Sequence, residues 1–167
     1  MSRGPFDGSG ACSPLRSALG RFATGVTIVT CTDAAGVAVG LTVNSFSALS
    51  LEPPLVLWSL RVESPSLPSF GAARHFAVNV LAEHQLELSR RFAAGSADKF
   101  DAGRWTVGQT GAPVLSGAVA VLECATQSAQ PHGDHVLFIG AVRHVVAHAG
   151  PPLLFQAGRY RRLGDLL

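Results

Sequence analysis

Residues 26–43 read VTIVTCTDAAGVAVGLTV, in which two β-branched runs, 26–31 and 37–43, flank the turn-forming segment 33–36. Branched side chains favour extended strands, and Asp and Gly supply the backbone conformations of a tight turn. The pattern therefore predicts a β-hairpin near the start of the fold.

Runs of the same kind continue along the chain. The further predicted strands are residues 55–62, 76–81, 117–127, 134–146 and 153–160. The predicted helices are short and cover about 14–24, 64–71 and 83–94. The strand at 55–62 is apolar on both faces, and we expect it to be buried. Since strands outnumber helices and short connections join most of them, we predict a mainly β fold, an antiparallel barrel with a few short helices.

The composition narrows the class of protein. Apolar residues make up 47% of the 167 residues and charged residues 14%, against about 25% charged in an ordinary soluble domain. A disordered chain would need the opposite balance. The net charge of +2 does not suggest a nucleic-acid or anionic membrane surface. We expect a compact chain that either pairs with itself or covers its apolar surface with a ligand.

The length favours a single domain at 14–167, after a Gly-, Ser- and Pro-rich segment, 1–13, that is typical of a flexible tail. No apolar run approaches the ~18–20 residues of a membrane span. The cysteines Cys12, Cys31 and Cys124 are odd in number and widely spaced. This disfavours a disulfide framework or a zinc site and predicts reduced thiols in the cytoplasm.

Several common active-site signatures are absent from the sequence. It contains no dinucleotide-binding Gly-rich fingerprint, no NTPase phosphate loop, no hydrolase nucleophile elbow and no zinc-protease histidine pair. His132 and His135 lie three apart on a predicted turn into a strand, where we expect their side chains to face opposite sides. No metal site is predicted.

Small polar side chains crowd the end of the second predicted strand, at residues 42–47 (TVNSFS). Their hydroxyl, amide and backbone N–H groups could face an anionic or hydrogen-bonding ligand edge. They could equally satisfy their own turn, as Asn and Ser side chains often do. The residues alone leave both interpretations open.

Four local motifs occur in one order along the chain. They are residues 21–27 (RFATGVT), 40–47 (GLTVNSFS) with 51–55 (LEPPL), 76–81 (FAVNVL), and 133–135 (GDH) leading to Gly140. In this order and spacing, and over residues 15–163, the chain resembles the short-chain flavin reductases. These are FMN-binding split-barrel proteins that supply reduced flavin to two-component monooxygenases.

The resemblance implies a split barrel that uses FMN or FAD, with NADH or NADPH as reductant. It also implies a homodimer and a flavin-dependent monooxygenase partner that receives the reduced flavin. No acid, base or nucleophile of the protein is expected, because the cofactors carry the redox chemistry. The preferred flavin, the preferred nicotinamide and the partner's substrate stay open.

The resemblance also implies roles for particular residues. Those expected to contact the flavin are Thr42, Asn44, Ser45 and Phe46, with Tyr160 near its ring. Those expected at its phosphate are Ser64, Ser66 and one of the pair Arg90 and Arg91, of which Arg91 is preferred. His135 is expected beside the nicotinamide.

Each of these assignments has a simpler alternative. Ser64 could be an ordinary helix N-cap, His135 a structural histidine bonded to backbone, and Tyr160 an aromatic residue at the barrel end. The only lysine, Lys99, could form a loop salt bridge with Asp98 or Asp101 instead of contacting a cofactor.

Two other functions share the predicted fold. A non-enzymatic split-barrel protein could hold a flavin tightly as a carrier or sensor. A relative of pyridoxine-phosphate oxidase fits less well, because more basic residues would be expected at its phosphate sites.

Overall fold

The computed structural model describes residues 14–95 and 98–165, so the predicted tail at 1–13 lies outside the described residues. The strands are β1 Thr24–Gly25, β2 Thr27–Thr32, β3 Ala38–Val43, β4 Ser47–Leu51, β5 Pro54–Arg61, β6 His75–Val80, β7 Trp105–Val107, β8 Pro113–Leu115, β9 Ala120–His132, β10 His135–Ala147, β11 Leu154–Gln156 and β12 Arg159–Arg161. The helices are α1 Pro14–Leu19, α2 Leu67–Ala72 and α3 Leu86–Ala93, with 3₁₀ turns at Glu83–Gln85 and Lys99–Asp101. Within these ranges no helix has the length and apolar character needed to cross a membrane.

The sheets confirm the predicted antiparallel, mainly β fold. Seven strands form one sheet in the order β3-β2-β6-β9-β10-β5-β4, and β1-β11-β12 and β7-β8 form two smaller sheets. The predicted first hairpin is present as β2 and β3, which pair from Thr27↔Val43 to Thr32↔Ala38. The Asp33 carboxylate accepts hydrogen bonds from two turn N–H groups, at 2.9 and 2.8 Å, and so holds the turn in place.

The seven-stranded sheet is curled, because its two edge strands are neighbours in the chain. Only residues 44–46, called the link below, join β3 at one edge to β4 at the other. In a flat sheet the edges would lie about 29 Å apart. The link can span at most about 14 Å. The sheet must therefore roll until its edges approach each other at the link, as in the predicted split barrel.

An aromatic cluster fills the core of the curled sheet. Trp58 stacks on Phe138 with ring centroids 4.5 Å apart, and Phe70 meets the indole edge-on at 5.0 Å. Phe76 completes the cluster, and its ring lies where a side chain at Gly140 would project. A second cluster, which includes Phe92, packs beneath α3.

The predicted strand 153–160 is two short strands, β11 and β12, and the first helix and β5 also differ from the sequence predictions. The first helix ends at Leu19 rather than near residue 24, because residues 24 and 25 pair with β11 as a strand. The strand β5 is buried on one face only, through Val56, Trp58 and Leu60. Its other face carries half-buried and exposed residues, so alternation replaces the predicted burial of both faces.

Gly140→Ala tests the close packing of β10 against the aromatic cluster. An added Cβ would overlap the Phe76 ring and lie 2.9 Å from the Cys124 Cβ. We expect this overpacking to lower the free energy of unfolding by about 1–3 kcal/mol in urea denaturation. Gly71→Ala is the matched control, because nothing lies within 4 Å of the added Cβ. Equal effects of the two changes would contradict this packing.

Candidate functional site

A cavity of about 480 Å³ lies where the two edges of the sheet approach each other, and we call it the link cavity. The sequence-predicted residues that line it are Thr42, Asn44, Ser45, Ser64 and His135. Polar residues that sequence reasoning did not single out line it as well: Ser59, Arg61 and Glu63. The remaining lining is apolar, from Leu41, Val43 and Leu60.

The register of the sheet explains why these side chains meet. Ser59 and Arg61 lie two apart on β5 and therefore share the face opposite the core. His135 of β10 is the direct cross-strand partner of Arg61, so both side chains project to the same side. The polar residues at alternate positions of an otherwise apolar strand were the sequence signal for this face.

Ser45 fastens the link to β5. Its hydroxyl donates to the Ser59 carbonyl and accepts from the Ser59 N–H, both at 3.0 Å. The pairing of β4 with β5 begins only at Ser47↔Leu57, so this hydroxyl satisfies backbone groups beyond the end of β4. The single hydroxyl proton is thereby used, and Ser45 acts first as a positioning residue.

Thr42 is likewise held by the protein. Its hydroxyl donates to the Ser89 carbonyl of α3 at 2.6 Å, and the Ser89 hydroxyl is 3.0 Å from the phenol oxygen of Tyr160. This chain of bonds ties β3, α3 and β12 together beside the cavity. Tyr160 packs against Phe155 and lies outside the lining of the cavity.

Asn44 differs from its neighbours because its amide makes no hydrogen bond with any described residue. The side chain is exposed and lines two cavities, the link cavity and a second one of about 610 Å³. The second cavity lies between α1 and the turn at residues 156–158. An unpaired amide at the junction of two cavities is well placed to bind a ligand.

His135 is oriented by its neighbour in the chain. Its Nδ1 donates to the Asp134 carboxylate at 2.8 Å, which leaves Nε2 available. This hydrogen bond is the largest cause of the lowered pKa of Asp134, and the charge of Arg61 makes a smaller contribution in the same direction. Asp134 is therefore a positioning residue for the imidazole.

The expectation that His132 and His135 face opposite sides was wrong. The two residues flank the two-residue turn 133–134 and are direct cross-strand partners, which puts both side chains on one face. Among the described residues, no third histidine, cysteine or carboxylate completes a metal-binding group with them.

Two predicted site residues near the link lie outside the lining of the cavity. Phe46 is partly buried and packs against the aromatic core. Ser66 is the N-cap residue of α2, and its N–H donates to the Ser64 hydroxyl at 3.3 Å. The N-cap of this helix is therefore Ser66, two residues later than the predicted cap Ser64.

The structure does not bring Arg91 to the link cavity either. Its guanidinium donates to the Asp98 carbonyl at 2.8 Å, on the exposed side of α3. Arg90 pairs with Glu87 at 2.6 Å and lies over the Tyr160 ring.

Lys99 binds backbone rather than lining the cavity. Its ammonium donates to the carbonyls of Gly40 and Phe92, both at 3.3 Å, and so joins β3 to the end of α3. Burial lowers the pKa of Lys99.

Comparison with known proteins defines the class. The sequence model of the flavin reductase like domain matches residues 19–164, and the chain belongs to this family. It is 44% identical to the FMN reductase (NADH) SmoA of Agrobacterium fabrum, over 88% of this chain and 83% of that protein. It is 42% identical to the reductase subunit HsaB of a flavin-dependent monooxygenase of Mycobacterium tuberculosis, over 87% and 79%.

A solved structure supports the same relationship. The NADH:FAD oxidoreductase SgcE6 of Streptomyces globisporus, in complex with NAD and FAD fragments, superposes with a TM-score of 0.85 at 41% identity. The similarity covers 90% of this chain and 91% of that one.

Ser45→Ala tests whether the link depends on the bonds to β5. The change leaves the Ser59 N–H and carbonyl without their partner, and we expect a loss of about 1–2 kcal/mol in the free energy of unfolding. Ser47→Ala is the control, because that hydroxyl bonds only its neighbour's carbonyl on an exposed strand. A loss no larger for Ser45→Ala than for the control would contradict the role given to Ser45.

Proposed function

We propose that this chain is an NAD(P)H-dependent flavin reductase whose link cavity holds FMN or FAD. One observation carries the proposal: residues from three separated segments, each given a cofactor contact by the family resemblance, meet around a single cavity. Thr42, Asn44 and Ser45 come from the end of β3 and the link, Ser64 from the loop after β5, and His135 from the start of β10.

The residues of the cavity suit a flavin. A flavin ring has apolar faces and a hydrogen-bonding edge, and here apolar walls lie beside the unpaired amide of Asn44. A volume of about 480 Å³ is within the usual range of ligand sites. Because the hydroxyls of Thr42 and Ser45 are already bonded to carbonyls, Asn44 is the side chain of the link most free to bind the ring.

The protein supplies orientation rather than an acid or base. When bound, the two cofactors supply the redox chemistry, a hydride passing from the nicotinamide to the flavin. The fixed link keeps the Asn44 amide at the cavity, and Asp134 keeps the Nε2 of His135 available at the part of the wall that β10 forms. Such preorganised groups reduce the reorganisation needed in the reactive complex.

The reduced flavin leaves this chain and is used by a partner monooxygenase. A relative 42% identical to this chain is named as the reductase subunit of a flavin-dependent monooxygenase. The reductant is NADH or NADPH, and a relative 44% identical is named for NADH.

Steady-state turnover of the purified chain tests the proposal. The loss of nicotinamide absorbance is measured with NADH and NADPH, each with added FMN, FAD or riboflavin. We expect flavin-dependent oxidation in at least one combination. No turnover in any of them would contradict the proposal, and a flavin that survives dialysis and is inert to both reductants would indicate a carrier or sensor.

His135→Ala separates the two cofactors. We expect the KM for the nicotinamide to rise about 10-fold, through loss of a hydrogen-bonding group at the cavity wall, while the flavin Kd changes by less than about 3-fold. His132→Ala is the matched control, because that side chain shares the face but does not line the cavity. Equal changes in the two constants would refute the role given to His135.

We also propose a homodimer, because apolar side chains are unusually exposed. Phe22 is 77% and Leu51 is 92% exposed, and β4 is paired on one side only. Phe22 lines the second cavity beside Asn44, so a second copy seated there would adjoin the site.

Light scattering at micromolar concentration tests the dimer. We expect twice the mass of one chain, and Leu51→Glu should shift the population toward the monomer because it would bury an unpaired charge. A wild-type monomer under these conditions would contradict the dimer.

A further inference from the structure

We propose that Arg61 is the residue by which the link cavity selects phosphorylated flavins, FMN or FAD, over riboflavin. Glu63 pairs with the Arg61 guanidinium until the flavin phosphate takes the place of the Glu63 carboxylate. The inference rests on the proposed function and goes beyond it, because it assigns the phosphate partner to a residue that no family motif singles out.

Among the described residues lining the link cavity, Arg61 is the only Lys or Arg. Two carboxylates lie close to it: Glu63 pairs with its guanidinium at 3.1 Å, and Asp134 lies in the turn directly before His135, the cross-strand partner of Arg61. A phosphate dianion entering between these carboxylates would be repelled without a cation beside it. Arg61 is positioned to supply that charge.

The turn after β5 places Arg61 beside Ser64. Arg61 ends β5 on the cavity face, and the Ser64 N–H donates to the Arg61 carbonyl at 3.0 Å. This tight turn keeps the guanidinium and the Ser64 hydroxyl at the same end of the cavity. A planar guanidinium can form two parallel hydrogen bonds to phosphate oxygens, and a hydroxyl can donate a third.

The ion pair between Glu63 and Arg61 is weak. The two side chains are 64% and 79% exposed, and ion pairs this exposed contribute little to stability. A phosphate carrying up to two negative charges can therefore displace the single carboxylate. The pair keeps the guanidinium at the cavity rim while the site is free of ligand.

Arg91 is the competing candidate. It projects from α3, outside the lining of the link cavity, and its guanidinium already donates to the Asp98 carbonyl. A phosphate contact from Arg91 would therefore have to replace that bond.

Equilibrium binding of FMN and riboflavin by the full chain, followed by flavin fluorescence, tests the inference. For Arg61→Gln we expect the FMN Kd to rise about 10-fold and the riboflavin Kd to change by less than about 2-fold. Glu63→Gln should instead strengthen FMN binding by about 2- to 3-fold, because it removes both a competitor and a like charge. Arg61→Lys should keep part of the preference, through a single point charge.

The matched comparison is Arg91→Gln, for which we expect the ratio of the two dissociation constants to match the wild type. Loss of the FMN preference in Arg91→Gln but not in Arg61→Gln would overturn the inference. So would an equal rise of both constants in Arg61→Gln, which would indicate a merely structural residue. Failure of the wild-type chain to bind either flavin would instead refute the proposed function itself.

Discussion

The short link between the two edge strands is the constraint on which the rest of the structure depends. Three residues connect β3 to β4, at opposite ends of the strand order, so the sheet has to roll. The Ser45 hydroxyl then joins the link to β5 through the Ser59 backbone, where the ladder between β4 and β5 has not yet begun. The same contacts that close the sheet at the link therefore also form the cavity.

The same constraint explains which polar groups are available for a ligand. Thr42 is tied to α3, and Ser45 is tied to β5, so both hydroxyls serve the scaffold. Asn44, between them, is exposed and free among the described residues. Elsewhere around the cavity, Asp134 orients the His135 ring, and Glu63 pairs with Arg61 at the cavity rim. The site thus consists of a few free groups on a framework that holds them in place.

Much of the fold and part of the site could be predicted from the sequence. The first hairpin follows from branched runs around turn residues, strands were predicted within β9 and β10 though not their pairing, and the family resemblance named five residues that line the cavity. Contacts made across the sheet could not be predicted, because they depend on register. The strand register sets Arg61 opposite His135 and His132 on the same face. The local sequence pattern could not show where α3 would direct Arg91, or that Phe46 would pack, partly buried, against the aromatic core.

Hydrogen–deuterium exchange of the full chain, with and without FMN, tests most directly whether the cavity at the link is the flavin site. We expect slower amide exchange on FMN binding in residues 42–46 and 59–64, which include most of the residues that line the link cavity. The segments 16–24 and 155–158, around the second cavity, should change less. Protection confined to those two segments, with residues 42–46 and 59–64 unaffected, would contradict the account.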